Sequence, residues 1–264
     1  MKRSEFWGTG AADWAEIQEP LGRALFEALL DSLALAPGSA LLDGGCGSGL
    51  LSALASERGF VVTGVDVSEA FIEYARGRKT GANFLIGDLR ELPFAAESFD
   101  AMVGCNSFQF VPNPVTAVRE AGRVLRPSGR LAIASFDDPT KCQGVALVGA
   151  LLSLLPSRAG APPDSPGPFA LARTGVLERT LRDGGFEIEG EQQYVAVPWI
   201  YRDLETALRG FMATGPAQEA RAVVGEDAVC AALTDAAAPY RQPDGSYRLE
   251  NVFTFVVGRK RKDS

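Results

Sequence analysis

The sequence predicts an α/β fold, a doubly wound, mostly parallel seven-stranded sheet with helices on both faces and a helical cap. Three observations carry that expectation. The apolar pair Leu41-Leu42 runs directly into the glycine-rich turn Asp43-Gly44-Gly45-Cys46-Gly47-Ser48-Gly49. A second apolar run, Phe60 to Val65, ends at Asp66, 17 positions beyond Gly49. Short apolar runs then alternate with segments of helical periodicity, as parallel strands joined by crossover helices require.

In chain order, residues 1–36 read as helical, because Leu21, Leu25, Ala28, Leu29 and Leu33 recur on one face and the pattern stops before Pro37-Gly38. Strands are expected at about 40–44, 60–65, 83–87, 99–105 and 129–135, with helices near 48–58, 68–79 and 113–125. The interval 139–172, broken by Pro156, Pro162, Pro163, Pro166 and Pro168, reads as a lid: a helix followed by a loop crossing the mouth of the sheet. A helix at about 173–183 and strands at 186–197 and 251–258 complete the core. Residues 199–238, alanine-rich and helical in pattern, fall between the last two strands and read as a second cap insertion. The whole of 1–264 is expected to form a single domain.

Composition narrows the function classes. The chain has 264 residues, 46% hydrophobic and 22% charged, within the ordinary globular range. A net charge of -7 argues against affinity for nucleic-acid backbones, which depends on lysine and arginine. The basic run Arg259-Lys260-Arg261-Lys262 is expected to be a solvated tail. With no histidine, and with Cys46, Cys105, Cys142 and Cys230 at no metal-binding spacing, a zinc site is not expected. Reduced thiols and the lack of an apolar signal core in residues 1–5 point to a cytoplasmic protein. The most apolar run, Val145 to Leu155, has 11 residues, against about 20 needed to span a bilayer, so no membrane partner is expected.

The turn carries the chemistry. Glycines at 44, 45, 47 and 49 bring naked backbone against a ligand, and an acid at the tip of the second strand, Asp66, is placed to take ribose hydroxyls. A dinucleotide fingerprint fails in both registers, since its third glycine falls on Leu50 or Ser52. Asp43, two residues before Gly45, would repel a pyrophosphate and attract a cation. S-adenosyl-L-methionine, a nucleoside with a sulfonium, an ammonium and no phosphate, satisfies all of these demands.

These residues resemble the class I S-adenosylmethionine-dependent methyltransferases, whose fold is Rossmann-like, and in particular the small-molecule type 11 and ubiquinone-menaquinone-biosynthesis-like group. The resemblance includes Gly87-Asp88-Leu89 with Leu92-Pro93-Phe94, Ser98-Phe99-Asp100, and Leu125-Arg126-Pro127-Ser128-Gly129-Arg130-Leu131. It implies cofactor binding by Asp43, Gly44, Gly45, Gly47, Gly49, Asp66, Val67, Asp88, Leu89 and Asn106, with Asp88 meeting the adenine amino group. Trp14 and Phe6-Trp7 are placed to close over the methionine end, where a ring face favours a cation. Gln109, in Cys105-Asn106-Ser107-Phe108-Gln109-Phe110, is the candidate catalytic or substrate-facing polar group. This segment lacks the N-P-P-Y-like sequence of members that methylate nucleic-acid bases.

The expected reaction is methyl transfer to an O, N or C nucleophile of a small, largely apolar metabolite. Alignment of the nucleophile can supply on the order of 7–11 kcal/mol in such a displacement. Trp199, Tyr201 and Arg202 are candidates to line the acceptor cavity. Two other readings fit the same residues: a protein that binds the cofactor without transferring methyl, and a nicotinamide oxidoreductase.

Overall fold

The computed structural model describes residues 6–155 and 165–261. Residues 1–5, Pro156, Pro162, Pro163 and Lys262, all of which entered the sequence reading, lie outside the described residues. The main sheet contains β1 (Ala40–Gly44), β2 (Val61–Asp66), β3 (Asn83–Ile86), β4 (Phe99–Cys105), β5 (Leu125–Phe136), β6 (Phe186–Ala196) and β9 (Val252–Lys260). Its order is β3-β2-β1-β4-β5-β9-β6, and β9 runs antiparallel to both neighbours. A two-stranded ribbon, β7 (Trp199–Tyr201) with β8 (Tyr247–Leu249), stands apart from it.

Alternation along each strand divides the core into two faces. On β5, Ala132, Ala134 and Phe136 join the cluster formed with α2 (Arg23–Ser32) and α3 (Leu50–Glu57). Leu131 and Ile133 point the other way, into the cluster with α5 (Pro114–Val124) and α7 (Val176–Asp183). Between β2 and β3 lies α4 (Glu69–Gly77), with Ser68 as its N-cap, its hydroxyl accepting from the Phe71 amide. The apolar run at Val145 forms α6 (Val145–Ser153), and α8 (Leu204–Met212), α9 (Gly215–Val224) and α10 (Glu226–Ala237) lie between β7 and β8. Leu147 and Leu151 of α6, Phe211 of α8 and Leu233 of α10 are continuous with the first core cluster. Among the described residues, no helix is long and apolar enough to cross a membrane.

One expectation is refined and one corrected. The N-terminal helical segment is built in pieces: a short α1 (Ala11–Asp13) leads into a π-helical turn, Trp14–Gln18, and a 3-10 turn, Glu19–Gly22, before α2. Pro20 has no amide to donate, which favours breaking the α-helical ladder there. The supposed basic tail belongs to the sheet: Arg259 and Lys260 lie in β9, and Arg259 pairs with Glu189. Lys260 is buried and its ammonium donates to the Leu125 carbonyl at 2.9 Å. Lys260→Ala is therefore expected to cost about 1–3 kcal/mol by leaving that carbonyl unpaired. Urea unfolding checks this, and a loss within about 0.5 kcal/mol would mark Lys260 as a surface residue after all.

Candidate active site

The turn after β1 is held by hydrogen bonds that draw it across the end of β2. The Gly45 and Cys46 amides both donate to the Val65 carbonyl, at 2.8 and 3.0 Å. Gly45 has φ +78°, and a Cβ placed on it would lie 2.3 Å from that of Ser107. A side chain there would drive the β1 and β4 turns apart, breaking the 2.7 Å bond from the Ser107 hydroxyl to the Gly44 carbonyl. The Gly47 amide donates to Asp66 Oδ2 at 3.0 Å, and the Ser68 amide donates to Asp66 Oδ1 at 2.9 Å. Asp66 thereby braces the glycine turn while keeping unused lone pairs on both oxygens.

A cavity of about 630 Å³ opens over this turn at the carboxyl ends of the parallel strands. Asp43, Gly45, Gly47, Asp66, Val67, Asp88, Leu89, Asn106, Gln109 and Trp14 all line it. Gly44 and Gly49 do not. A Cβ on Gly44 would run into Met102 and Leu89, and one on Gly49, which holds φ +86° at the head of α3, would press on Ala75 and Phe84. Asp88 is paired through both oxygens with Arg90, whose side-chain hydrogen bonds hold the carboxyl below its ordinary range. A ligand amino group at Asp88 must share it with that guanidinium.

Asn106 takes φ +52° as the chain leaves β4, and its amide is fixed by the Ala134 carbonyl. Its side-chain oxygen accepts from Gln109 Nε2 at 3.0 Å. Gln109 is 1% exposed, and its Oε1 is buried without a partner. A buried amide oxygen left open on a cavity wall is an unmet acceptor, costly unless a ligand donates to it.

Sequence reasoning missed Glu19 and Arg78. Glu19 is buried beside the glycine turn, where its Oε2 accepts from the Ser48 hydroxyl at 2.5 Å and from Arg78 Nη2 at 2.8 Å. Arg78 also donates to the Ser48 carbonyl. The available signal was the polar pair Gln18-Glu19, sitting against Pro20 just ahead of an apolar helix. Asp43 is likewise buried, with Ser52 donating to its Oδ2 at 2.7 Å. Desolvation pushes Asp43 up to about 7, and the neighbouring charges of Glu19 and Asp66 push it the same way. Burial raises Glu19 and Asp66 as well. Three carboxylates thus face one cavity end, an arrangement that invites a cation.

The opposite end of the cavity is apolar, formed by Phe26, Phe136, Val148, Trp199, Phe211 and Phe253. Phe136 contacts Phe253 at 4.4 Å and Trp199 at 5.8 Å between ring centroids. Trp199 is thus on the wall as expected, whereas Tyr201 and Arg202 are not. Tyr201 is buried in the core with its hydroxyl donating to Gln18 Oε1, and Arg202 is exposed beside Asp203. Trp7 lines the cavity mouth against Phe110 at 5.2 Å. Cys46 and Cys105 also reach the cavity, but burial holds both thiols well above their ordinary range. All four cysteines are free, and no group of three metal-ligating side chains occurs among the described residues.

Comparison with known proteins identifies what is built this way. Residues 42–133 match the family model of a methyltransferase domain. The chain is 31% identical over 202 residues to 27-O-demethylrifamycin SV methyltransferase of Amycolatopsis mediterranei, covering 70% of this chain and 68% of that protein. It is 34% identical over 157 residues to demethylmenaquinone methyltransferase of Beutenbergia cavernae, covering 59% and 63% of the two chains. Among solved structures, the [4+2]-cyclase SpnF superposes with a TM-score of 0.58 at 22% identity, over 90% of this chain and 80% of that one, a likeness of fold.

The buried acids make stability depend on pH. Asp43 is raised, so the stability its protonated form contributes is present below about pH 4 and is lost as pH rises through about 7. The cofactor-free protein should therefore show a Tm that falls from about pH 5 to about pH 8, more steeply than in Asp43→Asn. Parallel Tm profiles for the two proteins would show that Asp43 does not titrate in that window.

Proposed function

Because the chain belongs to the class I S-adenosylmethionine-dependent methyltransferases, we propose that it methylates an O, N or C nucleophile of a small, largely apolar metabolite by in-line displacement. Its cofactor is S-adenosylmethionine, which when bound supplies a methyl group already activated by a sulfonium. The residues present fit that group: three buried carboxylates face it with Arg78 paired to one of them, and the turn exposes peptide without a phosphate-binding arginine or lysine on it. Asp66 would hold the ribose hydroxyls, Asp43 the cationic side, and Val67, Asp88 and Leu89 the base.

The observation that carries the reading is that one cavity joins this anionic end to an aromatic one. An apolar acceptor seated between Phe136, Trp199, Phe211 and Phe253 would be shielded from water and held toward the glycine turn. Gln109 lies between the two ends in function: its unpaired Oε1 would accept from an acceptor hydroxyl or amine and fix which atom faces the methyl group. The relatives named 27-O-demethylrifamycin SV methyltransferase and demethylmenaquinone methyltransferase support a small-molecule acceptor here.

The test is transfer of labelled methyl to a panel of phenols, quinols and amines, apolar and polar. Turnover of apolar aromatic acceptors supports the reading, and turnover confined to small zwitterionic ones overturns it. Gln109→Ala should leave cofactor affinity unchanged and lower acceptor turnover at least about tenfold. Asp66→Ala should do the opposite, weakening the cofactor by roughly 1–3 kcal/mol through lost hydrogen bonds. Calorimetry with S-adenosylhomocysteine separates the two, and the reverse pattern would remove both residues from their assigned places.

A further inference from the structure

We propose that Trp14 and Glu19 grip the amino-acid end of the cofactor, the indole N–H donating to its α-carboxylate and the Glu19 carboxylate accepting from its α-ammonium. This rests on S-adenosylmethionine being the ligand of the cavity. The observations behind it are local and independent of the glycine turn's resemblance to any family.

Gly47 is the point of convergence. A Cβ placed there would have two neighbours, Glu19 Oε1 and Trp14 Nε1, each at 3.5 Å. A donor and an acceptor therefore flank the same small volume of the cavity wall. The indole nitrogen is buried with no hydrogen-bond partner. Trp14 is packed against Trp7 at 5.6 Å and Phe71 at 5.9 Å, so the ring is fixed and its N–H cannot swing away to find water. Glu19 is asymmetric in the matching sense. Its Oε2 is taken by the Ser48 hydroxyl and Arg78, while the Leu50 amide reaches Oε1 at 3.4 Å, a long contact for a charged acceptor.

Backbone geometry explains why these two side chains meet. In an α-helix, residues five apart point about 140° away from each other. Trp14 and Glu19 are instead joined by a π-type bond, the Glu19 amide donating to the Trp14 carbonyl, and the wider turn brings both to one side. Single π turns of this kind are frequent at functional sites. Charge completes the argument. Glu19, Asp43 and Asp66 oppose the single guanidinium of Arg78, so an entering amino-acid group finds acids for its ammonium, and the indole gives its carboxylate a neutral donor away from them. The segment has other anchors, Ser68 to the Trp7 carbonyl, Arg209 to Asp13 and Tyr201 to Gln18, that do not involve either residue.

The experiment compares binding of S-adenosylhomocysteine with 5′-methylthioadenosine, which keeps the adenosine and sulfur but lacks the amino-acid group. The wild-type chain should prefer S-adenosylhomocysteine by at least about tenfold. Trp14→Phe, which keeps the ring, and Glu19→Gln should each erase about tenfold of that preference while changing 5′-methylthioadenosine affinity less than about twofold. With decarboxylated S-adenosylhomocysteine, Trp14→Phe should cost nothing further, whereas Glu19→Gln should still weaken binding. Parallel loss of both ligands in both variants, or no loss in either, overturns the proposal, as does a wild type that binds the two ligands equally. Should Glu19→Gln unfold, Trp14→Phe alone decides. A wild type that binds neither ligand would overturn the reading of the cavity itself.

Discussion

Three carboxylates kept out of water around one turn of backbone set the terms for the rest of this molecule. Charges there interact in a medium far less screening than the surface, so burial raises all three acids and the charges of Glu19 and Asp66 raise Asp43 further. Arg78 relieves one of them, and backbone amides from Gly47 and Ser68 relieve another. Asp43 is met by Ser52, through its hydroxyl and its backbone, and, among the described residues, by no cationic side chain. The turn tolerates this because the Gly47 amide donates to Asp66 and because Gly45 and Gly47 add no side chain to the cavity wall beside the acids. The cavity wall beside the turn is thereby acidic, with Arg78 paired to one of its three carboxylates.

The same constraint gives the N-terminal segment its part in the site. Glu19 reaches the glycine turn from a stretch 29 residues upstream of Ser48, and it does so through a break in the helix that Pro20 makes easy. The segment is in turn tied to α8 and β7, through Asp13 and Gln18, so the cofactor end and the aromatic end of the cavity share a wall.

Much of this was legible in the sequence, and the part that was not has a common cause. Alternation of apolar runs located the strands from β1 to β5 to within a few residues, because a buried parallel sheet leaves little freedom in where its polar breaks occur. Gly45, Gly47 and Asp66 were legible because the turn geometry that needs them is local. Gly44 and Gly49 carry the same letter in the same motif but do not line the cavity, and the close neighbours that a Cβ would meet there, Met102, Ala75 and Phe84, lie far along the chain. Asp88 was placed on the cavity, but its capture by Arg90 depends on a side-chain rotamer that no spacing announces. Glu19, Lys260 and Tyr201 were misjudged or missed for one reason: each meets its partner only after the chain has folded, 29, 135 and 183 positions away.

One feature of the sheet bears on how such a protein changes over evolutionary time. β6 and β9 lie side by side and antiparallel, with Ala196 opposite Val252 and the Val197 amide bonded to the Asn251 carbonyl at 2.8 Å. Everything between them, including the α8 to α10 helices that bring Phe211 to the cavity, leaves and returns on adjacent rungs. Because loop closure grows only as the logarithm of length, about 0.6 kcal/mol per doubling, that excursion can be lengthened, shortened or exchanged while its two feet stay put. The aromatic wall that Phe211 and Trp199 contribute can then diverge by grafting at one seam of the sheet, and the charged turn after β1 need never be rebuilt.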